Sequence, residues 1–165
     1  MASRRKGRIL AFQALFSWDA QYGRTGEAVI PEELLGFSWT NSDTPASAGI
    51  SPQVPAQVSA QTEEMTAFSR LLLTGTVGNI AAVDSMIQKH LDNWELKRLN
   101  KVDLAILRMS VYTLMFQTDT PPTVVIDEAI EISKEFGTDD SYRFVNGVLD
   151  GVRKTLAPVP GQIGR

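Results

Sequence analysis

Residues 100–116, Asn-Lys-Val-Asp-Leu-Ala-Ile-Leu-Arg-Met-Ser-Val-Tyr-Thr-Leu-Met-Phe, constrain the fold more than any other stretch. Val102, Leu104, Ala105, Ile106, Leu107, Met109, Val111, Leu114, Met115 and Phe116 place apolar groups nearly all round one helix. Such a helix has no face to give to water. The pattern therefore predicts a central helix enclosed by others. Asn100 is placed to cap it, and Asp103, three residues later, supports its start. Asp103 and Arg108 are its conspicuous charges.

The enclosing helices are legible on both sides. Ile9, Phe12, Phe16 and Ala20 recur as one stripe, with Ala11, Leu15, Trp18 and Tyr22 as its neighbour. Thr62 is a capping candidate ahead of Glu63 and Glu64, and Met65, Phe68, Leu72, Val83, Met86, Ile87 and Leu91 sustain a helical period to residue 91. Gly75 and Gly78 predict a bend or a close helix approach within it. Residues 94–99 read as one short turn. Pro121 and Pro122 force a stop and a restart, followed by Val125, Ala129, Ile132 and Phe136 on one face. Residues 31–35 suit another short turn behind Pro31. The Ser-, Thr-, Pro-, Ala- and Gly-rich stretch 36–61 reads as a long flexible loop, and 157–165 as a disordered tail. No strand pattern competes. The expectation is a single all-α domain of about seven helices across residues 1–165.

Composition narrows the chemistry. The chain has no cysteine, which excludes disulfides, thiolate metal sites and a cysteine nucleophile. A single histidine, His90, leaves little room for a zinc site or a Ser-His triad, and it reads as a surface residue complementing a helix end. Thr-Gly-Thr-Val-Gly-Asn at 74–79 lacks the Lys-Ser/Thr and the strand of a phosphate loop. Asp127 and Glu131, four apart, could share a metal, but a solvated helix face explains them more simply. No catalytic group, metal or cofactor is expected. No apolar run approaches the ~20 residues of a membrane span, and the N-terminus lacks a signal-peptide core. A cytoplasmic binding protein is the expectation, with a net charge of −3 confining any nucleic-acid contact to a local patch.

Two segments suit such a patch. Arg4, Arg5, Lys6 and Arg8 form a basic arm. It suits phosphates, and Arg can also stack on bases. Residues 136–151, Phe-Gly-Thr-Asp-Asp-Ser-Tyr-Arg-Phe-Val-Asn-Gly-Val-Leu-Asp-Gly, combine a helix stop, a polar restart and a new amphipathic helix. Gly137 is expected in the left-handed conformation that closes a helix, with Thr138, Asp139 and Ser141 offering oxygens to the next helix's free N–H groups. Phe144, Val145, Val148, Leu149 and Val152 make a buried stripe, with Tyr142, Arg143, Asn146 and Asp150 largely opposite. From the residues alone the reading stops at a helical binding module with a basic arm.

The blocks RRKGRILAFQALFSW, DLAILRMSVYTL and PPTVVIDEAIEISKEFGTDDSYRFVNGVLDG occur in an order that resembles the NusB family of bacterial transcription antitermination factors. The resemblance covers residues 3–22 and about 65–155. It implies a fold of two packed helical bundles, no catalysis, and binding of single-stranded boxA RNA jointly with NusE, a small-subunit ribosomal protein. It further implies a place in the elongation complex with RNA polymerase and other Nus factors, supporting processive transcription of ribosomal RNA operons. The RNA-facing positions carried over are Arg4, Arg5, Lys6, Arg8, Gln13, Asp140, Ser141, Arg143 and Phe144, with Asp103 at the NusE contact. Arg143 stands where the family often has Lys, and Phe16 where some members have Tyr. Two alternatives stay open: a protein-interaction module without RNA affinity of its own, and an RNA-binding domain related to ribosomal-RNA methyltransferases. The resemblance also leaves homodimer formation open.

Overall fold

A computed structural model of the chain describes residues 2–22, 60–92 and 94–157. They form six helices: α1 Ala2–Tyr22, α2 Ala60–Gly78, α3 Ile80–Lys89, α4 Lys101–Phe116, α5 Pro122–Phe136 and α6 Ser141–Leu156, with a 3₁₀ turn at Leu96–Arg98. No strand occurs among the described residues. The turn expected at 31–35, most of the 36–61 loop and the tail after 157 lie outside the described residues. The last two positions of that loop, Ala60 and Gln61, already belong to α2. Thr62 thus lies inside the first turn and not ahead of it.

The apolar stretch forms the centre. Every residue of α4 from Asp103 to Thr113 is buried, and the helix packs against all five others. Around it α1 pairs with α2, and α5 with α6. Its start is fixed as the sequence suggests, with the Asn100 Oδ1 accepting the Val102 N–H at 2.8 Å. Pro122 opens α5 at a first-turn position where its missing N–H costs nothing. The periodicity of 62–91 proves to be two helices, parted at Gly78–Asn79, where the Asn79 side chain donates to the Gly75 carbonyl at 2.8 Å. Tyr112 of α4 lies directly against Gly75, which is the close helix approach anticipated there.

Two surface readings change. Leu10, Ala11, Phe12, Ala14, Leu15 and Trp18 are buried on α1, whereas Phe16 and Ala20 face outward. The expected stripe of Ile9, Phe12, Phe16 and Ala20 is split because α1 is centred on its Ala11–Leu15–Trp18 side. His90 is half-buried, and its Nε2 lies 3.0 Å from Thr155 Oγ1. Its ring packs on Gly151, so it ties the end of α3 to α6.

Arg108 is the main polar element of the core. Its Nε and Nη2 donate to the two oxygens of Asp84 on α3 at 2.9 and 3.0 Å, and its Nη1 donates to Asp19 of α1 at 3.1 Å. Asp19 Oδ2 is 3.0 Å from Lys101 Nζ. Trp18 offers its ring 5.7 Å from the guanidinium carbon. One buried cation therefore joins α1, α3 and α4. Removing a single partner from such a set leaves a desolvated charge unpaired. Arg108→Met should cost about 3–5 kcal/mol of stability, read as a lower denaturant midpoint.

Candidate nucleic-acid interface

The basic residues at the N-terminus are the opening turns of α1 and not a separate arm. Gly7, in their midst, lets α1 lie close to α2: a Cβ there would stand 2.8 Å from the Phe68 ring and 3.3 Å from the Met65 carbonyl. Ser69 Oγ fills the same contact, 2.8 Å from the Gly7 carbonyl. This packing divides the cations. Arg4 and Arg8 turn toward α2, with guanidinium carbons 5.2 and 5.4 Å from the Phe68 ring centre. Arg8 is only 8% exposed, and burial pulls its pKa down against the raising field of Glu128. A contact between Arg8 and RNA phosphate is thereby largely closed off. Arg5 turns toward α5 and lies 3.7 Å from Glu128 and 3.4 Å from Glu131. Lys6 is exposed and makes no ion pair among the described residues.

Arg5, Lys6 and Ile9 form one wall of a groove of about 510 Å³ whose other wall is Glu131, Lys134 and Glu135 of α5. With a turn every 3.6 residues, Arg5, Lys6, Ile9, Gln13 and Phe16 share about one third of the α1 circumference. That outward strip carries the half-buried Gln13 and the 38% exposed Phe16. Further along, Phe12 meets Phe136 at 5.4 Å, so the end of α5 is held against the middle of α1.

The chain then turns into α6, and this corner differs from expectation. Gly137 has φ −91° and ψ −170°, an extended conformation and not a left-handed one. Glycine is needed there for space, since a Cβ would come within 2.6 Å of Ser141 Cβ and Oγ and 2.7 Å of the Ser133 carbonyl. No side chain caps the helix; Asp140 occupies the N-cap position without a side-chain cap bond. The polar contact runs the other way, with Ser141 Oγ accepting the Thr138 N–H at 2.9 Å and lying 3.0 Å from Thr138 Oγ1. Ser141 is 2% exposed, so its hydroxyl is spent inside the corner and not offered at the surface.

Asp103 reaches the same point from α4. It is 8% exposed, and its Oδ1 is buried without a hydrogen bond. Desolvation raises its pKa above 3.8, partly offset by the Ser141 hydroxyl, which favours the ionised form. Little of Asp103 is left at the surface for a protein partner. What the corner does expose is Asp139, Asp140 and Arg143, with Phe144 half-buried against the core. Arg143 Nε donates to the Tyr142 hydroxyl at 2.9 Å. Lys134 Nζ and Arg143 Cζ each stand 5.5 Å from the centre of the Tyr142 ring.

Lys134 and Tyr142 are the residues that sequence reasoning passed over. Lys134 lines the groove and also touches Tyr142, which makes the groove and the corner one continuous surface. In the sequence Lys134 is one of several charges on a polar helix face, and nothing there marks it.

The NusB family model matches residues 5–154. The chain belongs to the NusB family. It is 49% identical over 150 residues to the transcription antitermination protein NusB of Treponema denticola, covering 91% of this chain and 95% of that one. The NusB of Geotalea uraniireducens is 38% identical over 156 residues, 94% of this chain and 97% of its own. Among solved structures, T. maritima NusB superposes with a TM-score of 0.69 at 33% identity, covering 94% of this chain and 93% of that one. NusB in a complex of the antitermination factors NusB and NusE with double-stranded RNA gives 0.71 at 26% identity, with coverages of 94% and 98%. NusB proteins are transcription antitermination factors and not enzymes. No helix among the described residues is long and apolar enough to cross a membrane.

The buried Ser141–Asp103 contact yields two expectations. Ser141→Ala should cost about 1–3 kcal/mol, because it leaves the part-buried Thr138 N–H without its acceptor. Folding raises the Asp103 pKa, so its ionised form disfavours the folded state. Stability from this group is then gained as pH falls from the raised folded value toward 3.8. Urea midpoints of wild type and Asp103→Asn, compared from about pH 7 to about pH 4, should converge on acidification.

Proposed function

We propose that the continuous surface of groove and corner binds boxA-type single-stranded RNA. In this reading the chain acts with NusE, inside an elongation complex of RNA polymerase and other Nus factors, to support processive transcription of ribosomal RNA operons. The observation that carries it is the contact of Lys134 with Tyr142, which joins the cations of α1 to the aromatic start of α6. The NusB–NusE–RNA complex among the structural relatives supports the choice of partners. A strand whose bases are unpaired suits this surface because Tyr142 and Phe144 each keep part of a ring accessible. A bacterial cytoplasm is the matching location.

The roles follow from what each side chain can reach. Lys6, Arg4 and Arg5 attract phosphate whatever the sequence. Arg143 does the same at the corner, and Gln13 can read a base edge from the outward strip of α1. Phe144 stacks on a base. Ser141 acts from behind, by holding the corner that presents Arg143 and Phe144. Asp140 lies at the surface where a carboxylate repels phosphate. NusE contact at Asp103 is confined to its small exposed edge.

The test is a titration of boxA and scrambled RNA at two salt concentrations, with and without NusE. Arg5→Ala combined with Lys6→Ala should reduce the slope of log affinity against log salt by about 0.7 for each phosphate that is no longer neutralised. Phe144→Ala should cost about 1–3 kcal/mol of boxA affinity while helix content holds in circular dichroism. Asp140→Asn should keep or tighten binding. Equal affinity for boxA and scrambled RNA, changing only when NusE is added, would favour an interaction module without RNA specificity of its own.

A further inference from the structure

The groove that should receive phosphate already contains a carboxylate between its cations. Glu131 Oε2 lies 3.4 Å from Arg5 on α1, and its Oε1 lies 3.8 Å from Lys134 on its own helix. One acid thus holds a cation from each wall. Glu128 adds a second carboxylate 3.7 Å from Arg5 Nε, with its Oε2 buried and making no hydrogen bond. A carboxylate and a phosphate satisfy a guanidinium in the same way, by presenting paired oxygen acceptors.

We propose that Glu131, backed by Glu128, is an internal phosphate surrogate that occupies Arg5 and Lys134 in the free protein and is displaced from them by RNA. The inference rests on the RNA-binding reading above. The side chains of Arg5, Glu131 and Lys134 are about half exposed at 45%, 50% and 52%, so rotamer changes alone release the pairs. A phosphate that binds either cation then takes the place of the Glu131 carboxylate. The sequence-independent part of the affinity is discounted, and strands that add base stacking at the corner are the ones held at low concentration. Glu131 sets this threshold without touching a base.

The experiment is a double-mutant cycle read by fluorescence anisotropy with boxA and scrambled single-stranded RNA. Glu131→Gln should tighten both RNAs by about two- to fivefold, the scale of one exposed ion pair. In a background of Arg5→Gln with Lys134→Gln that gain should vanish. Glu135→Gln is the control, since Glu135 lines the same groove but makes no ion pair among the described residues. A gain that persists without Arg5 and Lys134, a gain of equal size from Glu135→Gln, or no gain at all would overturn the surrogate. Failure of the wild-type chain to bind either RNA, with NusE present or absent, would instead overturn the RNA-binding reading beneath it.

Discussion

The position of α1 depends on the set made by the buried Arg108 and Asp19 with the half-buried Asp84. α4 is apolar nearly all round, and apolar packing by itself is non-directional. A helix of that kind admits several rotations of its neighbours at similar cost. Three directed hydrogen bonds from one guanidinium remove that freedom for α1 and α3. Asp19 and Arg5 lie about four turns apart on one side of α1. The contact that anchors Asp19 to Arg108 therefore also sets the rotation at which Arg5, Lys6 and Gln13 reach the surface. Buried ion pairs are weak sources of stability, but they are well suited to specifying register.

A second constraint acts at the other end of the interface. Gly137, Thr138 and Ser141 pack so tightly that a methyl group at 137 has no room. The Ser141 hydroxyl sits between the Thr138 backbone and Asp103 of the central helix. The exposed members of the corner, Asp140 and Arg143, ride on this buried anchor. Here a polar contact in the core shapes a polar surface, and two of the residues doing so, Ser141 and Asp103, are nearly inaccessible. The groove has the opposite character. Its Arg5–Glu131 and Lys134–Glu131 pairs are exposed and long.

Much of the architecture was legible from residues 100–116 and the stripes around them. The Asn100 cap, the restart at Pro122 and the central place of α4 all follow from local rules, and the structure bears them out. Other readings failed because more than one local explanation was equally good. Glycine at 137 is demanded equally by a left-handed cap and by a close approach, and the structure has the second. Ser141 is equally suited to capping, to ligand binding and to interior bonding. Asp103 reads equally as a support for its helix start and as a partner contact, yet it is buried beside Ser141 of α6.

Sequence alone determined the helical class, most of the helix positions, the greater part of the core faces and the clustering of cations at the start and of mixed polar residues at 138–143. Periodicity fixes the angles between residues on one helix, which is why Ala11, Leu15 and Trp18 could be assigned to a common face. It does not fix the angle of that helix to the rest of the molecule. The tertiary structure decided that Arg4 and Arg8 face Phe68 while Arg5 faces Glu131. It also brought Lys134, eight residues before Tyr142 in the chain, over that ring to close the surface. Those contacts depend on how α1, α2 and α5 are rotated about α4, and that rotation is set by packing and by Arg108, far from the residues it places.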